Sequence, residues 1–168
     1  MRPLLGVWLA VAAALVAGAV VVLEAAALTI TMAAITFPEV TLGGSDQTVD
    51  GSSSAWRADA TGESGGWNVT VSSTDFGNGD SQTIAVSNFD IRLLDANIVR
   101  VSGDSNGPVS TQTTFAALSG TPLKIASAAV GDGDGVYDLT PDFRLTVPAE
   151  SYAGSYTATV TVDITSGP

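Results

Sequence analysis

The sequence contains no cysteine and no histidine. Without cysteine there is no disulfide, no thiol nucleophile and no thiolate metal site. Without histidine the usual general base near neutral pH is missing, as is the commonest transition-metal ligand. Basic residues are scarce, with 6 Lys and Arg against 17 Asp and Glu, a formal net charge of −11. That balance excludes nucleic acid as an expected partner, because phosphates would be repelled. It also opposes simple attraction to anionic lipid or anionic wall polymer. Lys124 is the only lysine. A Ser–Lys dyad or an intramolecular isopeptide bond would have to use it, and its place between Leu123 and Ile125 turns it outward. No cofactor is expected.

What the chain does have begins with Arg2 and an uncharged apolar run from Pro3 to Leu23. Glu24 and the small residues Ala25-Ala26-Ala27 follow, a pattern read by signal peptidase. Residues 1–27 are therefore expected to form a hydrophobic helix that serves as a signal peptide, cleaved after Ala27. The alternative is an uncleaved anchor, since the run is about long enough to cross a bilayer. Either way residues 28–168 are expected outside the cell, at its surface, with the membrane touched only through the N-terminal segment. The sequence shows no sorting signal for covalent wall attachment before Thr165-Ser166-Gly167-Pro168.

From Leu28 onward apolar residues recur at every second position. Trp67, Val69 and Val71 share one face, opposite Asn68, Thr70 and Ser72. Tyr156, Ala158, Val160, Val162 and Ile164 share another, opposite three threonines and Asp163. Leu28, Ile30 and Met32 alternate, as do Phe89, Ile91 and Leu93, and Phe143, Leu145 and Val147. Strands of this kind bury one face and wet the other. Glycine-rich turn clusters separate them, at 43–46, 62–66, 77–80, 103–108 and 131–135. About nine such strands predict an all-β fold, a single antiparallel β-sandwich of the Ig-like, Greek-key type. The stretch from Asp95 to Ala117 lacks clear alternation and reads as a long excursion or as weakly paired strands.

Few residues invite chemistry. Asp132 and Asp134 in Gly131-Asp132-Gly133-Asp134-Gly135, and the run Asp104-Ser105-Asn106-Gly107, resemble pieces of calcium loops. Neither ends in the bidentate Glu that such loops need. Two turns are the simpler reading, with Asp132 and Asp134 as weak metal candidates. Trp56 and Trp67 are candidate platforms for stacking sugar rings. Alternation, however, places Trp56 beside Ala58 and Ala60, and Trp67 beside Val69 and Val71, the pattern of a core anchor.

Two blocks carry a family resemblance. The first is Trp56-Arg57-Ala58-Asp59-Ala60-Thr61-Gly62, followed by Gly65-Gly66-Trp67-Asn68-Val69-Thr70-Val71 and Thr74-Asp75-Phe76. The second is Leu145-Thr146-Val147-Pro148-Ala149, followed by Tyr152-Ala153-Gly154-Ser155-Tyr156 through Thr161 and a terminal Gly167-Pro168. Together they resemble a WxL domain across nearly all of residues 28–168. The resemblance implies a surface protein of Gram-positive bacteria that is not an enzyme. Its expected partner is cell-wall glycan, peptidoglycan in particular, or another surface protein, held non-covalently. The alternative expectation is a structural subunit of a surface fibre or layer, assembling through β-edges. The two Trp-x-Leu motifs map to Trp67-Asn68-Val69, which keeps the Trp, and to Val162-Asp163-Ile164, which has lost it. With Trp56, these six residues are the binding residues that the resemblance implies.

Overall fold

A computed structural model describes residues 7–10, 12–13 and 28–167. In chain order the strands are β1 (Val7–Ala10), β2 (Ala12–Ala13), β3 (Thr29–Thr31), β4 (Thr36–Val40), β5 (Gln47–Gly51), β6 (Trp56–Asp59), β7 (Trp67–Ser73), β8 (Phe76–Gly77) and β9 (Thr83–Ile84). There follow β10 (Phe89–Arg92), β11 (Ile98–Gly103), β12 (Val109–Ser110), β13 (Ala116–Ala117), β14 (Leu123–Ala128), β15 (Gly135–Leu139), β16 (Asp142–Val147) and β17 (Thr159–Ser166). Two single 3₁₀ turns are the helical content among the described residues. Val7–Ala10 and Ala12–Ala13 are extended and paired with sheet edges rather than helical. The rest of the expected N-terminal helix, and the cleavage point, lie outside the described residues.

Four stretches of chain build one layer. Sheet order β13-β10-β16-β5 continues into β11-β15-β6-β3, because each neighbouring pair of stretches simply carries on along the same partner. The outermost stretch does the same, with Thr31 opposite Arg57 and Thr36 opposite Ser52. All four are interrupted at one level, around residues 32–35, 53–55, 93–97 and 140–141. Pro141, which has no N–H to donate, cannot sustain a ladder there. The other layer runs β12-β14-β7-β17, with β2 added in parallel at the β17 edge. Placing β15–β16 between two earlier stretches gives the non-sequential neighbours of a Greek-key sandwich.

Burial follows the alternation. Along β16 the residues alternate half-buried and buried, and β10 and β6 do likewise. The core holds Phe37, Phe76, Phe89 and Phe143 in a chain of edge-on and tilted contacts, with ring centroids 5.4–6.4 Å apart. Gly51 is required by this packing, since a Cβ there would lie 2.6 Å from the Phe37 ring. We expect Gly51→Val to cost about 1–3 kcal/mol through overpacking, read as a lower urea midpoint with an unchanged slope.

The stretch from Asp95 to Ala117 contains weakly paired strands. β11 is an edge strand that projects past the core, with Val99 and Val101 half-exposed or more, so neither face needs to be apolar. It carries a bulge between Arg100 and Ser102, a device that blunts further edge pairing. On the outer face of β10 and β16, the Arg92 and Arg144 guanidiniums lie 4.5 and 4.0 Å from the Phe115 ring centroid. This cross-strand cluster ties β13 to the sheet.

Outside β6 and β15, Arg57 forms a bidentate pair with Asp138 at 2.8 and 2.9 Å. That bond holds the Asp138 carboxyl below the usual carboxylate range. Hydrogen bonds from Thr61 do the same for Asp59. Both contributions to stability are present above the unfolded carboxylate pKa of about 3.9 and are lost as pH falls through the lower folded value. Asp138→Asn is expected to lower the urea midpoint at pH 7 and to lower it progressively less as pH falls below about 4, a comparison made by circular dichroism.

Candidate functional site

The two motif segments are brought together. β7 and β17 are neighbours in the second layer, with Val69 opposite Ile164, Thr70 opposite Asp163 and Val71 opposite Val162. The arrangement is a packing unit. Trp67, Val69 and Trp56 are completely buried, Val162 is 6% exposed, and only Asp163 among these residues is exposed. The Trp67 ring leans on Tyr137 at 6.1 Å, and its indole N–H donates to the Gly133 carbonyl at 3.0 Å. Trp56 packs on Phe143 at 5.6 Å and its indole N–H reaches Ser53 Oγ. A role as sugar-stacking platforms for Trp56 and Trp67 is therefore corrected. Alternation carries both inward, and a ring sealed between two sheets presents no face to a glycan.

Asn68 is buried although it stands on the outward side of β7. Its amide donates to the Gly167 carbonyl, and Gly167 N–H donates to the Gly66 carbonyl at 2.8 Å, so residues 166–167 fold over it. Its Oδ1 has no partner among the described residues. Asn68 thus fastens the end of β17, and Ile164 is half-buried beside it.

The 131–135 loop is a cap over Trp67. Gly133 has φ +77, and a Cβ there would meet Ala128 Cβ at 2.5 Å and the Trp67 indole nitrogen at 2.9 Å. Asp134 Oδ1 accepts the Gly62 N–H at 2.7 Å, and Gly133 N–H donates to the Asn106 carbonyl at 2.8 Å. Asp134 therefore joins two turns, the simpler of the two readings of this loop. Among the described residues no three acidic side chains converge as metal ligands would.

Another surface combines an exposed aromatic ring with polar side chains, and the sequence pattern does not single it out. The β8–β9 hairpin and the connection from β16 to β17 are tied by reciprocal backbone bonds between Gly77 and Thr157, at 2.8 and 2.9 Å. Between them lies an open groove of about 250 Å³, lined by Gln82, Thr83, Pro148, Glu150 and Tyr152. Tyr152 is 66% exposed, whereas Trp56, Trp67, Tyr137 and Tyr156 are sealed in the core. Its backbone is held from below, because the buried Tyr156 hydroxyl donates to the Tyr152 carbonyl at 3.0 Å. Burial pushes the Tyr156 phenol up, so it remains a proton donor at neutral pH. Gln82 is positioned by Asn78, whose amide donates to it at 2.8 Å. An exposed aromatic face beside a carboxylate, an amide and hydroxyls is the chemistry that stacks on and hydrogen-bonds a sugar ring. The available signal was that Tyr152 falls in a turn, outside the alternating run that starts at Tyr156.

No family model matches the chain, and no curated protein matches it. Among solved structures, it is similar to a family 123 glycoside hydrolase from Clostridium perfringens, with a TM-score of 0.36 and 16% identity over 73% of this chain. The chain spans 18% of that enzyme's length. Among the described residues no helix is long and apolar enough to cross a membrane.

Proposed function

We propose that this chain is an exported, WxL-like cell-surface domain that binds the wall of a Gram-positive bacterium non-covalently and performs no chemistry, with Tyr152 making the contact. The ligand is wall glycan or a polymer associated with it; a surface partner protein is the other occupant of the same role. The observation that carries this reading is the groove at Tyr152, with Glu150 and Gln82 beside the exposed ring.

The test is sedimentation of residues 28–168 with purified walls, against an unrelated acidic domain of similar size. Enrichment of this domain in the pellet is expected. Equal recovery of the two would remove the reading.

A further inference from the structure

The core is thinnest along one side of the sandwich. Most buried apolar side chains are 0–1% exposed, but Ile30 (7%), Phe37 (8%), Val40 (6%), Ala158 (5%) and Val162 (6%) are not. All five lie on β3, on β4, or on β17 and the residue before it. β3 and β4 form the outermost stretch of the first layer, and β17 is the outermost long strand of the second. Both therefore present ladder groups that their own layers do not use.

The backbone of the N-terminal segment follows this side. Val7–Ala10 runs antiparallel to β4, with Val7 opposite Val40, Leu9 opposite Phe37 and Ala10 opposite Thr36. Ala12–Ala13 then runs parallel to β17, with Ala12 opposite Thr159 and Ala13 opposite Val160. Two short strands of the same segment thus lie along the edge of one layer and the edge of the other. Together they cover two open edges. The sequence from Val7 to Ala13 is Val-Trp-Leu-Ala-Val-Ala-Ala.

We propose that the edges of β4 and β17 are an acceptor slot for one extended segment, and that residues 7–10 and 12–13 of this chain occupy it. The segment read from the sequence as an export leader is then also the strand that closes the domain. Its removal frees the outer edges of β4 and β17 together, and makes that side a surface for strand addition.

The absence of cysteine allows a direct test. Thr36 exchanges both of its backbone hydrogen bonds with Ser52, at 2.9 Å each, so its pairing with Ala10 is of the non-hydrogen-bonded kind. Such pairs bring their Cα atoms to about 4.5 Å, within reach of a disulfide. The full chain carrying Ala10→Cys and Thr36→Cys is oxidised in dilute solution beside a control carrying Ala10→Cys and Ser105→Cys. The first is expected to form an intramolecular crosslink in most molecules, found by peptide mass mapping, and the control is not. A crosslink no more frequent than in the control would overturn the proposal. So would a crosslink found only between chains, which would assign the slot to a second copy.

Discussion

Trp67→Ala is expected to lower the stability of the domain by about 3–5 kcal/mol, the usual cost of emptying a large aromatic site in a sealed core. The ring lies between the layers, against Tyr137, and its indole N–H occupies the Gly133 carbonyl. Removal leaves both a cavity and a buried carbonyl without its donor. A domain of this size has about 5–15 kcal/mol in hand, so the variant should melt about 10 °C lower or fail to fold at 37 °C. Trp67→Phe should recover much of the packing and lose the hydrogen bond. Differential scanning calorimetry on the two variants separates these contributions. A Trp67→Ala domain that melts like the wild type would mean that the ring is not in the core. Any loss of wall binding in Trp67→Ala is expected to track unfolding, because the side chain has no exposed face.

Tyr152→Ala is expected to do the reverse. The side chain is two-thirds exposed, so its loss should leave the melting temperature within about 1–2 °C. Binding should fall at least tenfold, since a central aromatic anchor commonly carries about 2 kcal/mol or more. Tyr152→Phe keeps the stacking face and should retain most of the affinity. Titration of soluble N-acetylglucosamine oligomers by calorimetry reads this directly. The double result, stability without binding in one variant and binding lost only with the fold in the other, assigns the two aromatics opposite roles.

The positions of these two side chains, one sealed and one exposed, show how far alternation can be read. Period-two patterning placed Trp56, Trp67, Phe143 and Val160 on inward faces because each lies on a strand flanked by both layers. It could not resolve β11, whose Val99 and Val101 extend past the core and so obey no alternation. Nor could it show the shared break, because the gaps near residues 53–55 and 140–141 become aligned only when the strands pair. Tyr152 was invisible for a related reason. A groove between a hairpin and a distant connection depends on the Gly77–Thr157 bonds, which span 80 residues of sequence. The resemblance pointed instead to Trp67-Asn68-Val69 and Val162-Asp163-Ile164, which do meet, as neighbouring strands that hold the second layer together.

The most direct measurement is an amide chemical-shift map of residues 28–168 during titration with soluble wall glycan. The account predicts perturbations concentrated at Gln82 and Thr83 and from Pro148 to Tyr156, with the amides of β7 and β17 unmoved. Perturbations centred on the Trp67-Asn68-Val69 and Val162-Asp163-Ile164 strands, or none at saturating glycan, would contradict it.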